Sequence, residues 1–228
     1  MQLSKLFSKR VLGGVAASAL ALIASNAAFE YALQSDYSDE QKQKLKLIFQ
    51  DSIDIEDITF RQSKMTDVMI EMLNADAFVL DDTMHMHTRY KDYKGDKNLV
   101  PWLFAHEHVH VWQNKLCGSN DPHLLYAVAH DYYRANFQTP EEQQDVSYRY
   151  RLTDDRDLSD YNREQQASIV ADYFAIKAGG YAIYLDLNQS QIRDMHLYES
   201  VLKNFLEDPS YISNHCKNIH YFDPKAGL

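Results

Sequence analysis

The sequence predicts an α+β protein in which helices outweigh a small sheet. Three observations carry this. Several segments place apolar residues at helical spacing between recognisable caps and breakers. A few short runs carry the alternation and residue types of strands. Of the 228 residues, 45% are hydrophobic and only 7 are Gly. That suits one packed core and excludes a low-complexity chain. The expected organisation is a signal peptide over 1–27 and a single domain over 28–228.

Taken in order, MQLSKLFSKR carries Lys5, Lys9 and Arg10, and an apolar run from Val11 to Ala24 follows it. Ser25 and Ala27 then fit the small-residue rule for cleavage after Ala27, which is the layout of a secretory signal. Fourteen apolar residues are short for a bilayer span, and an uncleaved anchor running past Ala28 is the other reading. Ser38 and Gln41 form a capping-box pattern before the stripe Leu45, Ile48, Phe49, so 38–50 is expected to be a helix. Residues 55–61 read as a short strand and 64–74 as a helix. Residues 77–90 read as two extended pieces around the turn pair Asp81-Asp82, with His85 and His87 on one side and Met84 and Met86 on the other. A polar loop covers 90–98. Pro101 opens a helix that should run to Leu116 and end at Gly118. Residues 119–123 read as a loop, and 124–137 fit helix or strand equally. Residues 147–152 alternate like a strand, and 154–162 form an acidic loop. Asn162 caps a second strong helix over 163–179, stopped by Gly179-Gly180. A third covers 190–208 and stops at Pro209. The aromatic tail, 210–228, should pack back.

The formal net charge is −10, and no basic cluster could track phosphates, so nucleic acid is excluded as the main partner. After signal cleavage no membrane span is expected. The expected location is the periplasm or outside the cell, where disulfides persist. The two cysteines, Cys117 and Cys216, would close a loop of about 100 residues if paired. The sequence leaves that pairing open.

The chemistry concentrates in FAHEHVHVWQ, residues 104–113. His106, Glu107 and His110 make an HExxH pattern. Residues four apart share one helix face, so both imidazoles can reach one tetrahedral Zn²⁺ at about 2.0–2.1 Å. Water on such an ion has a pKa of about 7, and Glu107 can take its proton. A catalytic site needs a third protein ligand and an open position. Glu164 is the best candidate. It lies in the first turn of the later helix, where the dipole favours a carboxylate. Ala167 and Ala171 follow on nearly the same face and let two helices approach. His106, His110 and Glu164 are therefore the expected zinc ligands, Glu107 the general base, and a peptide or protein the expected substrate.

LVPWLFAHEHVHVWQ followed by YNREQQASIVADYF resembles the zincin-like metallopeptidase domains of bacterial polymorphic toxins and contractile secretion proteins. SDEQKQKLKLIFQDSIDIEDITFRQS resembles their lead-in segment, so the likeness spans roughly residues 36–180. It implies a zincin-like, gluzincin-type fold, with an active-site helix packed beside a small sheet and a helical C-terminal part. It also implies the same ligand set and base. The pattern departs at Ser168. Many gluzincins carry Asp four residues after the ligand Glu; here Asp172 lies one turn later and reads either as a solvent-exposed aspartate or as the partner of a ligand histidine.

Other residues have weaker cases. His108 points away from the 106/110 face and reads as structural or partner-facing. His85 and His87 read as exposed, or as lining a cleft from an edge strand. His130, Tyr150, Tyr161 and Tyr173 are candidates for steadying an oxyanion. His215, Cys216 and His220 have metal-like types without metal-like context. The alternative to a secreted zinc metallopeptidase is a zinc-stabilised binding or interaction module without turnover, and a zinc-free interaction domain is a third reading.

Overall fold

A computed structural model describes residues 37–73, 75–93, 99–118, 148–183 and 195–216. The expected signal segment, residues 94–98 of the expected polar loop, the loop expected at 119–123, His130, His220 and the ambiguous 124–137 run lie outside the described residues.

Helix α1, Asp39–Phe49, begins where the sequence places it. Ser38 accepts from the Gln41 amide, and the Gln41 side chain reciprocates to the Ser38 amide. Its stripe of Leu45, Ile48 and Phe49 is buried. Strand β1 is shorter than expected. Only Thr59–Arg61 is extended, because the Asp54 carboxylate caps the Glu56 amide and winds Ile55–Asp57 into a 3-10 turn. Helix α2, Lys64–Leu73, leads to strands β2, Ala77–Leu80, and β3, Thr83–Met86. Between β2 and β3, Asp81 takes a φ of 55°, a conformation Asp tolerates better than most residues.

The sheet order is β1-β3-β2, with β3 parallel to β1 and antiparallel to β2. The register aligns Phe60 and Val79 with Met84, and Ala77 with Met86, giving one apolar face. The opposite face is also covered. His85 is 3% exposed and lies flat on Phe78 from β2, with ring centroids 4.4 Å apart. Neither expectation for the two strand histidines holds. His85 is buried on the central strand rather than an edge, and His87, just past the strand, faces Asp67 at 3.2 Å.

Helix α3, Leu99–Cys117, crosses the sheet, nearest to β2. It starts two residues before Pro101, which still occupies the first turn, and Gly118 ends it at a φ of 86°. Its far side carries Trp112, packed among Phe49 and Phe205 and donating from Nε1 to the Pro209 carbonyl at 3.2 Å. Helix α4, Arg163–Lys177, starts with a second reciprocal box, Asn162 with Gln165. Helices α3 and α4 pack antiparallel: His110 meets Glu164 at one end of the contact and Trp102 meets Asp172 at the other.

Two more expectations need correction. Residues 148–152 form no strand beyond an isolated bridge at Tyr150. Side chains claim carbonyls that a ladder would use: Gln165 Nε2 donates to the Arg149 carbonyl and the Tyr161 hydroxyl to that of Arg151. The single C-terminal helix is two, α5 Met195–Val201 and α6 Lys203–Glu207, broken at Leu202. The break separates the turn that sends Tyr198 to Tyr150 from the one that sends Phe205 to Trp112. Beyond them, Pro209–Asn214 packs back on α3 as expected. A disulfide joins Cys117, the last residue of α3, to Cys216. The α+β class is as the sequence predicts. Among the described residues no helix is long and apolar enough to cross a membrane.

Candidate metal centre

The site is built on the buried contact between α3 and the first turn of α4. His106 and His110 lie one turn apart on α3, and the Asn162–Gln165 box fixes the start of α4 so that Glu164 projects between them. His106 Nε2 and His110 Nε2 are 3.3 Å apart; each faces Glu164 Oε2, at 3.3 and 3.1 Å. Three tetrahedral ligand atoms at about 2.0–2.1 Å from a metal would lie about 3.3 Å from each other. This triangle has those edges. Two imidazole nitrogens with one carboxylate suit zinc or a neighbouring transition metal, and suit calcium or magnesium poorly. His106, His110 and Glu164 could thus hold one metal ion.

The electrostatics are set by burial and by the Glu164 carboxylate. Burial opposes charge on His110, but the Glu164 carboxylate outweighs it and raises the imidazole above its ordinary value. Burial dominates at His106, which is lowered. Burial alone would raise Glu164; the two histidines, by charge and hydrogen bonds, instead hold its carboxyl well below the usual range.

Glu107 is 7% exposed. Burial pushes it up to about 7, with Glu164 and Asp76 adding to the rise and His110 opposing it. Among the described residues its carboxylate meets no hydrogen-bond donor. A buried carboxylate without donors costs stability, which sets Glu107 apart from every other carboxylate of the site.

The neighbourhood holds several residues that sequence reasoning did not assign. His110 Nδ1 bonds to Gln113 Oε1 at 2.9 Å. The Arg163 guanidinium bonds to the His110 carbonyl at 3.4 Å and to Asn114 Oδ1. Asn114 in turn donates to the Asp81 carbonyl at 2.7 Å, tying α3 to the β2–β3 turn. Trp102 stacks on the His106 ring with centroids 4.7 Å apart, and the Tyr148 ring lies 5.7 Å away. Among the described residues, His106 Nδ1 and the Ser168 hydroxyl are both buried without a hydrogen-bond partner. The available signal for Gln113 was its position, three residues past His110 on a face otherwise apolar.

Asp172 is fully buried, and its bonds run elsewhere than to a ligand histidine. It accepts from Trp102 Nε1 at 2.6 Å, Tyr150 Oη at 2.5 Å and the Ile183 amide at 2.7 Å. Among the described residues its link to His106 runs through the Trp102 stack. Tyr150, Tyr161 and Tyr173 are engaged with Asp172, the Arg151 carbonyl and Lys177 respectively, away from the triangle. His108 faces the other way. Its Nδ1 donates to the Phe104 carbonyl at 2.7 Å, so its Nε2 accepts from the Tyr37 hydroxyl at 2.8 Å. Cys216 is bonded to Cys117 and therefore no ligand, and His215 packs on Tyr211.

Comparison with known proteins returns no matching family model, no matching curated protein and no matching solved structure.

Proposed function

We propose that the chain is a secreted, zincin-like zinc metallopeptidase that hydrolyses peptide bonds in a peptide or protein substrate. The observation that carries this reading is Glu107: buried, without a donor, and next in sequence to the first of three converging ligands. A purely structural metal site requires His106, His110 and Glu164 and has no use for it. A zinc ion held by those three residues would polarise a scissile carbonyl and lower the pKa of water toward neutrality. Glu107 takes the proton of the attacking water and returns it to the amine nitrogen as the peptide bond breaks. Glu164 would supply one negative charge against the two positive charges of a divalent ion, leaving the site a net positive charge that favours a bound hydroxide. Burial of the site beside the Trp102 ring strengthens each of these interactions. Export is supported by the basic and apolar layout of residues 1–27, and the Cys117–Cys216 bond suits an oxidising compartment.

The test pairs wild type with Glu107→Gln. Elemental mass spectrometry should find one zinc per chain in both, and a broad peptide library should be cleaved only by wild type. Identical product profiles would refute the peptidase reading. Zinc bound by both with no cleavage by either would leave a zinc-stabilised interaction module.

A further inference from the structure

We propose that Gln113, held by Gln166, is a positioning residue that commits His110 to bind metal through Nε2; the inference rests on the metal reading above. The argument is a chain of donors and acceptors with one consistent assignment. The Tyr161 carbonyl can only accept. It lies 2.9 Å from one terminal atom of the Gln166 amide, which must therefore be the NH₂ group, Nε2. That turns Gln166 Oε1 toward Gln113, whose Nε2 donates to it at 2.8 Å. The Arg163 carbonyl, 3.1 Å from the same Gln113 nitrogen, can also only accept and fixes the same orientation independently. Gln113 Oε1 is then the atom facing His110 Nδ1 at 2.9 Å, and an amide oxygen only accepts.

His110 must therefore carry its hydrogen on Nδ1. The lone pair left for a metal is on Nε2, the nitrogen that sits in the triangle with His106 and Glu164. Gln113 and Gln166 are both fully buried. Two buried amides whose every bond points along one line are a costly way to fill a core unless orientation is the gain. The carbonyls at the origin of the chain, Tyr161 and Arg163, flank the Asn162 cap of α4. The same turn thus places Glu164 and, through the amides, orients His110. His106 has no such device among the described residues: its Nδ1 meets no partner there, and its ring is steadied by the Trp102 stack. The two histidines of one motif are held by different physics.

Long-range ¹H–¹⁵N spectra of the full zinc-loaded protein read the tautomer directly. His110 should show a protonated Nδ1 and a coordinated, unprotonated Nε2. Gln113→Met removes the acceptor and should weaken zinc binding by about 10–100-fold in chelator competition. Gln166→Met should fall between it and wild type, because Gln113 keeps its bond to the Arg163 carbonyl. His106→Ala, measured beside them, abolishes binding without touching the amides. Zinc coordinated at His110 Nδ1, or a folded Gln113→Met protein binding zinc within twofold of wild type, would overturn the inference while leaving the metal reading intact. If Gln113→Met does not fold, the wild-type spectrum and Gln166→Met still decide. A wild type that binds no zinc would remove the metal reading and this inference together.

Discussion

Glu107→Gln should make the metal-free protein more stable, and only at the higher pH values. The wild-type carboxyl ionises at about 7 in the folded chain, against an ordinary 4.5, chiefly because it is buried. A raised carboxyl contributes its full stability below 4.5, where both states are protonated, and loses it as pH rises through 7. Glutamine has nearly the same shape and never ionises. The gap between the two proteins should therefore be under about 1 kcal/mol at pH 5 and open to about 3 kcal/mol at pH 8. Urea unfolding in chelator at the two pH values measures it, with the midpoint of Glu107→Gln above that of wild type at pH 8. A gap of equal size at both pH values would mean that packing, and not ionisation, distinguishes the variants. No gap at pH 8 would mean that the carboxylate finds compensation in the folded protein, and the case for a base held there at a cost would fail.

Glu164→Ala should abolish stoichiometric zinc binding, seen by elemental mass spectrometry; an unchanged metal content would remove Glu164 from the ligand set. Reduction of the Cys117–Cys216 bond, which spans a separation of 99 residues, should cost about 4–5 kcal/mol in the chain-entropy account. A urea-unfolding free energy lowered by less than about 1 kcal/mol would show that the reduced chain keeps the two cysteines close by other means. Trp102→Phe preserves a ring over His106 but leaves one bond of the buried Asp172 carboxylate unmade, for a loss of about 1–3 kcal/mol in thermal unfolding. A loss below about 0.5 kcal/mol would indicate that the other partners of Asp172, Tyr150 and the Ile183 amide among them, satisfy it without Trp102.

What the sequence made legible was local. The capping box at Ser38, the Asn162 cap, the glycine that ends α3 and the one-turn pairing of His106 with His110 follow from spacings within one or two turns, because a helix converts spacing into direction without outside help. The failures share one cause. Residues 55–57 and 148–152 look extended by composition, yet Asp54, Gln165 and Tyr161 side chains took backbone groups that a strand would pair. His85 looked exposed because alternation gives two faces and does not say that Phe78 will cover the polar one. Asp172 reads in the sequence as a partner of a ligand histidine or a solvent-exposed aspartate, and it is neither: it is buried and bonded elsewhere. Its destination depended on Trp102 and Tyr150, which are 70 and 22 residues away. Gln113 was missed for the same reason, since its significance lies in Gln166 and the carbonyls beyond it.

The disulfide has a consequence for how the ends of the molecule answer one another. Cys117 lies between the two histidines and Glu164 along the chain, so the covalent loop contains the carboxylate but not the imidazoles. In an unfolded yet oxidised chain, that loop keeps Glu164 within a bounded distance of the HExxH segment. Pairing of the thiols and gathering of the three ligands therefore assist each other, and thermodynamic reciprocity makes the assistance equal in both directions. An ion that binds only the folded site would make the thiol pair harder to reduce, by about 30 mV for each tenfold that oxidation adds to its affinity. Scarcity of the ion and a reducing environment would then act as a single signal, each deepening the effect of the other.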